Sequence, residues 1–457
     1  MPTFTPEFLV CATGGTWTTQ PSDRLTGFSQ DTRKLSAGQV FVALQTEKRD
    51  GHDFLGEALA AGASAALVSR PSSSCPLPQL VVADTLKAFQ TIARDHRRSF
   101  RGPVIAITGS AGKTSTKNLV ATLLGTETRV LATEGNLNNT LGVPLTLTRI
   151  DPEQHAYAVI EAGISEPGEM ATLAAMIEPD VALVTLVAPA HLEALGTVEG
   201  VAREKSLLAR AARLAILPKR LLEFAAFRTL ETRTFLVESA EVIRPDVPAP
   251  ESAYFATSHR QETTALSLAY GPPPPRMFTL ERVSDGMAQN AVLAVCAALK
   301  LGVPIDTVRA RLAAWRPAAM RGELRREGDR LVYLDCYNAN PASMADALAN
   351  FYRITPLESP RLFVIGGMEE LGPDSARFHR ALGRQLKLRP EDACVVIGAE
   401  AEAVKQGAVE SGMRPEQFTV SNSIEPIATR VAAFRGSVFV KGSRKHALER
   451  ALGITPH

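Results

Sequence analysis

The 457-residue chain has no C-x-x-C pair. Its five cysteines, Cys11, Cys75, Cys296, Cys336 and Cys394, are odd in number and far apart, which speaks against a zinc site and suits a reducing compartment better than a disulfide framework. It has no surplus of charge either. The 50 lysines and arginines stand against 48 acidic residues for a net charge of +2, and the basic residues are scattered among the acids, so there is no footprint for a nucleic-acid partner. No stretch is long and apolar enough to cross a bilayer, and Met1–Glu7 has neither a basic n-region nor an apolar h-region, so a cytoplasmic protein without membrane insertion is expected. Internal repeats and low-complexity tracts are absent as well. What remains, 45% hydrophobic and 21% charged residues, is the composition of an ordinary globular protein, and 457 residues are too many for one core.

The order of apolar runs predicts an α/β protein of three domains. Before residue 100, Val40–Leu44 and Ala65–Val68 alternate with the helix-like Phe54–Gly62, which reads as a small α/β domain over 1–100. The basic, polar stretch 94–103 marks its end. Val104–Ile107, Ala156–Ile160, Val181–Val184 and Ala215–Leu217 recur between helical segments, which predicts a mostly parallel sheet with helices on both faces in a central domain over 101–316. Prolines at 245, 248, 250 and 272–275 point to exposed connections or antiparallel edge strands, and a helix is expected from about Gly286 to Leu301. After Trp315-Arg316-Pro317, the runs at 331–335, 361–366, 394–398 and 437–441 predict a Rossmann-like C-terminal domain over 317–457.

The strongest chemical signal follows the first central strand. Gly109-Ser110-Ala111-Gly112-Lys113-Thr114-Ser115 places a glycine loop between a strand and a helix, which presents backbone N–H groups, a lysine charge and a magnesium-ligating hydroxyl to a triphosphate. It is the shorter G-x-x-G-K-T, because Ile107 stands where the first glycine of the longer phosphate-loop pattern would be, so a tight glycine turn is the plainer alternative. Glu161 ends a strand beside this loop and reads either as a second Mg²⁺ ligand or as a solvated acid in a turn. His191 at another strand end and Lys205 on a helix are, by type alone, a structural hydrogen bonder and a surface residue.

Taken together, Gly109-x-x-Gly112-Lys113-Thr114, Asn136–Pro144, Glu161, His191-Leu192-Glu193 and Lys205 resemble the Mur ligases, the ATP-dependent amide ligases of peptidoglycan precursor synthesis. Asp31–Leu35 with Asp50–Phe54, Asp335–Met344 with its Tyr337-Asn338-Ala339-Asn340-Pro341, Met368–Gly372 with His379, and Val440–Arg444 are most similar to the dipeptide-adding members. That resemblance implies a monomeric enzyme that joins D-alanyl-D-alanine to UDP-N-acetylmuramoyl-tripeptide through an acyl phosphate made from ATP. It implies Lys113, His191 and Lys205 as catalytic residues and two Mg²⁺ ions held by Thr114, Glu161, His191 and Lys205, the last as a carbamate. It further implies nucleotide contacts from the loop, Asn290, Arg321 and Asp335, and substrate contacts from Asp31, Thr32, Arg33, Asn138, Asn139, Asn338 and Asn340. The chain departs from the family pattern at Thr46, Leu186, Pro218-Lys219-Arg220, Gly286-Met287 and Gly367, which puts the adenine and uridine contacts in question. Two other readings are a ligase adding a single amino acid and a nucleotide-binding relative without catalysis.

Overall fold

A computed structural model describes residues 2–21, 24–241, 251–328 and 330–454. Three sheets follow one another along the chain, each with its own core. The first has five strands between Thr16 and Val81, parallel except for the edge pair Thr16–Trp17 with Gln79–Val81.

The central sheet has nine strands. In spatial order they are Arg276–Glu281, Thr263–Ala269, Ser252–His259, Arg233–Ser239, Leu214–Pro218, Val181–Val184, Val104–Thr108, Tyr157–Glu161 and Val130–Ala132. All neighbours are parallel except at the Arg276–Glu281 edge, where Ser252–His259, Thr263–Ala269 and Arg276–Glu281 run antiparallel. Pro272–Pro275 form the connection between the last two of these strands, so the proline signal marks both a connection and edge strands, while Pro245, Pro248 and Pro250 lie outside the described residues.

Strand Val104–Thr108 is buried along its whole length because both of its faces are covered. Ile105 and Ile107 join one core with the helices Lys113–Leu124 and Asp285–Lys300. Val104 and Ala106 point the other way, into a core shared with Glu169–Ile177 and Val198–Ala211. Helix Asp285–Lys300 is alanine- and valine-rich and buried from Ala288 to Ala298 apart from Gln289, which suits a helix wedged between a sheet and another helix.

The C-terminal sheet has the order Glu323–Glu327, Arg330–Asp335, Ser437–Lys441, Arg361–Gly366, Ala393–Ile397, Phe418–Ser421, and only the first of these pairs is antiparallel. Its alternation also divides two cores: Tyr333, Phe363 and Phe439 face helix Pro341–Ile354, while Leu334, Val364 and Val440 face Glu425–Ala433.

The basic, polar stretch 94–103 does contain the end of the first domain's last helix, Thr85–Ser99, and two of its polar residues, His96 and Arg97, are buried. Arg97 donates from Nε to the Ile177 carbonyl at 2.9 Å and from Nη2 to Glu178 at 2.8 Å, capping the C-terminus of helix Glu169–Ile177 from the preceding domain. His96 reaches the Ile150 carbonyl at 2.7 Å and packs on the Phe4 ring. Burial pushes its pKa below the usual imidazole value, opposed by the Ile150 carbonyl. The folded chain therefore resists a proton that the unfolded chain accepts below about pH 6.5, and this share of stability is complete above that pH and lost as pH falls through the depressed folded value. In thermal melts, the fall in midpoint from pH 7.5 to 5.5 should be smaller in His96→Gln than in the parent chain.

Candidate active site

The carboxyl ends of the central and C-terminal strands face each other across a cavity of about 800 Å³. Ser110–Ser115, Asn136, Asn138 and Glu161 line it from the central domain, and Arg321, Asp335, Asn338, Asn340 and Lys441 from the C-terminal domain.

The loop after Thr108 needs glycine at both of its glycine positions. Gly109 has φ +154° and a Cβ there would lie 1.9 Å from Thr185 Oγ1; Gly112 has φ +79° and its Cβ would lie 2.3 Å from Asn290 Nδ2. Side chain and main chain hold the loop from one side, since the Leu186 carbonyl accepts from Ser110 N at 2.8 Å and Ser110 Oγ donates to the Ala188 carbonyl at 2.9 Å. Position 186 thus acts on the loop through its main chain, a contact that leucine makes as well as asparagine. Lys113 lies at the start of the following helix with Nζ donating to Gly109 O at 2.9 Å, and burial lowers its pKa. Thr114 beside it forms no side-chain hydrogen bond among the described residues and borders the cavity.

Glu161 is 1% exposed. Asn138 Nδ2 donates to its Oε1 at 2.8 Å, while its Oε2 is buried without a partner. An orphaned carboxylate oxygen and a free hydroxyl on one cavity wall fit a hard cation that takes most of its ligands from phosphate and water. Among the described residues no three His, Cys, Asp or Glu side chains are grouped to hold a metal by themselves.

His191 and Lys205 are not among the residues that line this cavity. His191, at φ +53°, stands at ion-pair distance from Glu370 of the C-terminal domain. Lys205 is 1% exposed and has no hydrogen bond or ion pair among the described residues; burial, together with the Lys113 ammonium nearby, holds its pKa well below that of an ordinary lysine.

Across the cavity, Asn340 caps helix Pro341–Ile354 through Ser343 N at 2.9 Å and donates from Nδ2 to the Ser110 carbonyl at 2.9 Å. Asp335 pairs with Lys441 at 2.6 Å; burial pushes this carboxyl upward and Lys441 opposes the shift. Lys441 also donates to the Asn338 carbonyl at 3.2 Å, and the Arg321 guanidinium lies 3.9 Å from the Tyr337 ring centroid. Asn290 is buried against Gly112.

Other expected residues lie elsewhere. Asn139 is a turn residue whose Oδ1 accepts from Leu141 N and Gly142 N at 3.2 and 2.8 Å. In the first domain, Asp31 accepts from Arg33 and Thr32 donates to Glu57 at 3.2 Å, and none of the three borders the cavity. Thr46 closes a turn with Arg49.

Of the remaining departures, Arg220, Gly286 and Met287 line the cavity, together with Phe255, Thr257 and His259, whereas Gly367 does not. A Cβ at Gly286 would lie 2.7 Å from Asp346 Oδ2, and Gly286 N donates to Asp346 Oδ1 at 2.9 Å, so the lack of a side chain lets the C-terminal domain dock there. Asp285 joins Arg353 at 2.7 Å and His259 at 2.6 Å. Arg220 follows Pro218 and has no hydrogen bond or ion pair among the described residues. At Gly367 a Cβ would be 3.1 Å from His446 Nε2, so the imidazole occupies the side-chain space of that position. Asp346 and Arg353, seven apart on one helix, were not picked out from the sequence; their spacing on a single helical face was the available signal.

A glycine loop that suits phosphate, a buried acid beside it and a second α/β domain facing both across the cavity are the arrangement of a nucleotide-dependent enzyme. The Mur ligase family, catalytic domain, matches residues 24–97, the Mur ligase middle domain 107–235, and the Mur ligase, glutamate ligase domain, 320–444. The UDP-N-acetylmuramoyl-tripeptide--D-alanyl-D-alanine ligase of Escherichia coli (strain K12) is 32% identical over 437 residues, covering 94% of this chain and 93% of that protein. The enzyme of the same name from Bacillus subtilis (strain 168) is 29% identical, covering 93% and 91%. Among solved structures, MurF from Acinetobacter baumannii superposes with a TM-score of 0.86 at 28% identity, covering 99% of this chain and 98% of that one, and MurF ligase from Thermotoga maritima in complex with ADP with 0.78 at 27%, covering 93% and 96%. The chain belongs to the Mur ligase family.

Gly112→Ala should cost about 1–2 kcal/mol through its left-handed backbone alone, and displacement of Asn290 should weaken ADP binding about tenfold or more. Calorimetric titration with ADP, alongside a thermal melt, checks both.

Proposed function

We infer that the chain joins D-alanyl-D-alanine to UDP-N-acetylmuramoyl-tripeptide and converts ATP to ADP and phosphate, giving the UDP-linked pentapeptide precursor of peptidoglycan. The observation that carries this reading is the Asn340 contact to the Ser110 carbonyl, by which the segment most similar to the dipeptide-adding ligases meets the phosphate loop. The resemblance to the Mur ligases carries the expectation of a monomer, and substrates carried on nucleotides support a cytoplasmic site of action. No helix among the described residues is long and apolar enough to cross a membrane.

In the first step a carboxylate oxygen of the tripeptide attacks the γ-phosphorus of ATP, the bond to the β-phosphate oxygen breaks, and ADP leaves with the electron pair. In the second step the dipeptide amine attacks the acyl carbon, the bond to phosphate breaks, and the amine gives up its proton to water. The obstacle in the first step is repulsion between anions. Lys113 supplies positive charge at the phosphates, and the loop N–H groups are fixed in advance, so little reorganisation is needed as charge shifts. Thr114 and Glu161 would hold Mg²⁺, which supplies further neutralisation of the phosphate charge when bound. Arg321, on the opposite wall, adds a second fixed cation. Asp31, Thr32 and Arg33 would hold the uridine nucleotide, Asn138 and Asn139 the substrate near the loop, and Asn338 the dipeptide.

His191 would bind a second ion together with Lys205. Burial and the Lys113 ammonium lower the pKa of Lys205 and so favour its neutral amine, the form that adds to the carbon of CO₂; the nitrogen then loses a proton to water and the product is a carbamate anion. That conversion would turn a buried amine into an anionic group able to ligate a metal.

Phosphate release from the purified protein with Mg-ATP and the UDP-linked tripeptide should depend on D-alanyl-D-alanine, with the pentapeptide appearing by mass. Dipeptide-independent release, or none, refutes the assignment. Lys113→Ala should lose about 3 kcal/mol or more of transition-state stabilisation, a drop of about a hundredfold in kcat/KM. Lys205→Ala should be inactive until acetate or formate is added, and a wild-type rate without either rules out the carbamate.

A further inference from the structure

Behind the cavity wall, helix Lys113–Leu124 carries a second lysine one turn after the first. Lys117 is 6% exposed, does not border the cavity, and donates from Nζ to the Thr133 carbonyl at 2.6 Å. Thr133, itself 1% exposed, follows edge strand Val130–Ala132 and continues its ladder, with its N–H on the Val159 carbonyl at 3.0 Å. Its hydroxyl accepts from the backbone N–H of Glu161 at 2.9 Å. The chain then runs from Thr133 through Gly135 and Asn136, which line the cavity, to Asn138, whose carbonyl accepts from Gly163 N at 2.7 Å and whose amide holds Glu161 Oε1 at 2.8 Å. Glu161 is therefore fixed at its backbone and at one carboxylate oxygen by a single segment, and the far end of that segment is tied to Lys117.

We propose that Lys117 is a positioning residue for Mg²⁺: through Thr133 it sets where the unpartnered Glu161 Oε2 stands, and it has no contact of its own with nucleotide. The idea rests on Glu161 being a metal ligand. A buried ammonium is a costly way to hold one carbonyl, and methionine would fill the same volume without an unmet donor. The charge is accounted for by what it faces. Glu161 and Glu134 are the acidic groups acting on Lys117 and Arg321 the basic one, so the lysine offsets the charge of a buried carboxylate that has no hydrogen-bond donor on Oε2. Partners that orient a ligand from behind commonly change metal affinity by about 10–100-fold when removed.

The test is Mn²⁺ binding to the ADP-bound protein, followed by the loss of the free-ion electron paramagnetic resonance signal, in Lys117→Met, Thr133→Val, Thr133→Ser and Glu161→Gln. Lys117→Met and Thr133→Val should bind Mn²⁺ about 10–100-fold more weakly, while ADP affinity in EDTA stays within about twofold of the parent. Thr133→Ser, which keeps the hydroxyl, should bind Mn²⁺ like the parent. In phosphate release, the Mg²⁺ concentration for half-maximal rate should rise while kcat at saturating Mg²⁺ is retained. Should Lys117→Met not fold, Thr133→Val carries the test, since it removes one hydroxyl from the same relay. Parent-like Mn²⁺ affinity in both, with Glu161→Gln impaired, overturns the positioning role alone. Parent-like affinity in Glu161→Gln as well overturns the metal reading beneath it. Loss of ADP binding in EDTA would make Lys117 a nucleotide ligand and overturn the proposal too.

Discussion

At the phosphate loop the two halves of the site are joined by a hydrogen bond: Asn340 of the C-terminal domain donates to the carbonyl of Ser110. The same asparagine caps the helix that it begins, so the orientation of that helix and the closure of the cavity are set by one side chain. Further along one helical face, Asp346 meets the amide of Gly286 and Arg353 meets Asp285, so the helix lies as a strut from the phosphate loop to the first turn of the Asp285–Lys300 helix. That first turn offers unpaired N–H groups and positive partial charge, and a carboxylate from another domain suits it on both counts. Phe378 packs against the cores of both domains, and these polar contacts add direction to that apolar one.

Much of this was readable in the sequence because buried parallel strands are apolar on both faces. Val104–Ile107 could hardly be anything else, and a glycine loop after such a strand has few structural uses. Asn138 and Asn139 show the limit. They are adjacent and alike, yet one points at Glu161 and the other closes a turn, and no local pattern separates them. Arg97 and His96 were hidden for a different reason, since a buried polar group satisfied by carbonyls far away in sequence has the composition of a solvated linker. Lys117 lies four residues from Lys113, and helical spacing alone places the two on one face; what it faces could be learned only from the fold.

Four of the departures from the family pattern fall into three physical kinds. At Leu186 the contribution is made by the main chain, so the side chain is free to vary. At Gly286 and Gly367 a missing side chain is matched by a neighbour that takes the space, Asp346 in one case and His446 in the other. At Arg220 a cation borders the cavity with no side-chain hydrogen bond or ion pair among the described residues, Asp346 and Glu223 being the acids that act on it at longer range.

The joint made by Arg97 has a geometric meaning. It ties the first domain to a helix end of the central sheet with two hydrogen bonds to carbonyls, both on a buried side chain. Several contacts between the central and C-terminal domains border the cavity, among them Asn340 with Ser110 and Asp346 with Gly286, but the Arg97 joint lies apart from it. The first domain is consequently held at a set reach from the phosphate loop, and a long substrate lying across both would be gauged against that span, so that its length becomes a property the protein can read.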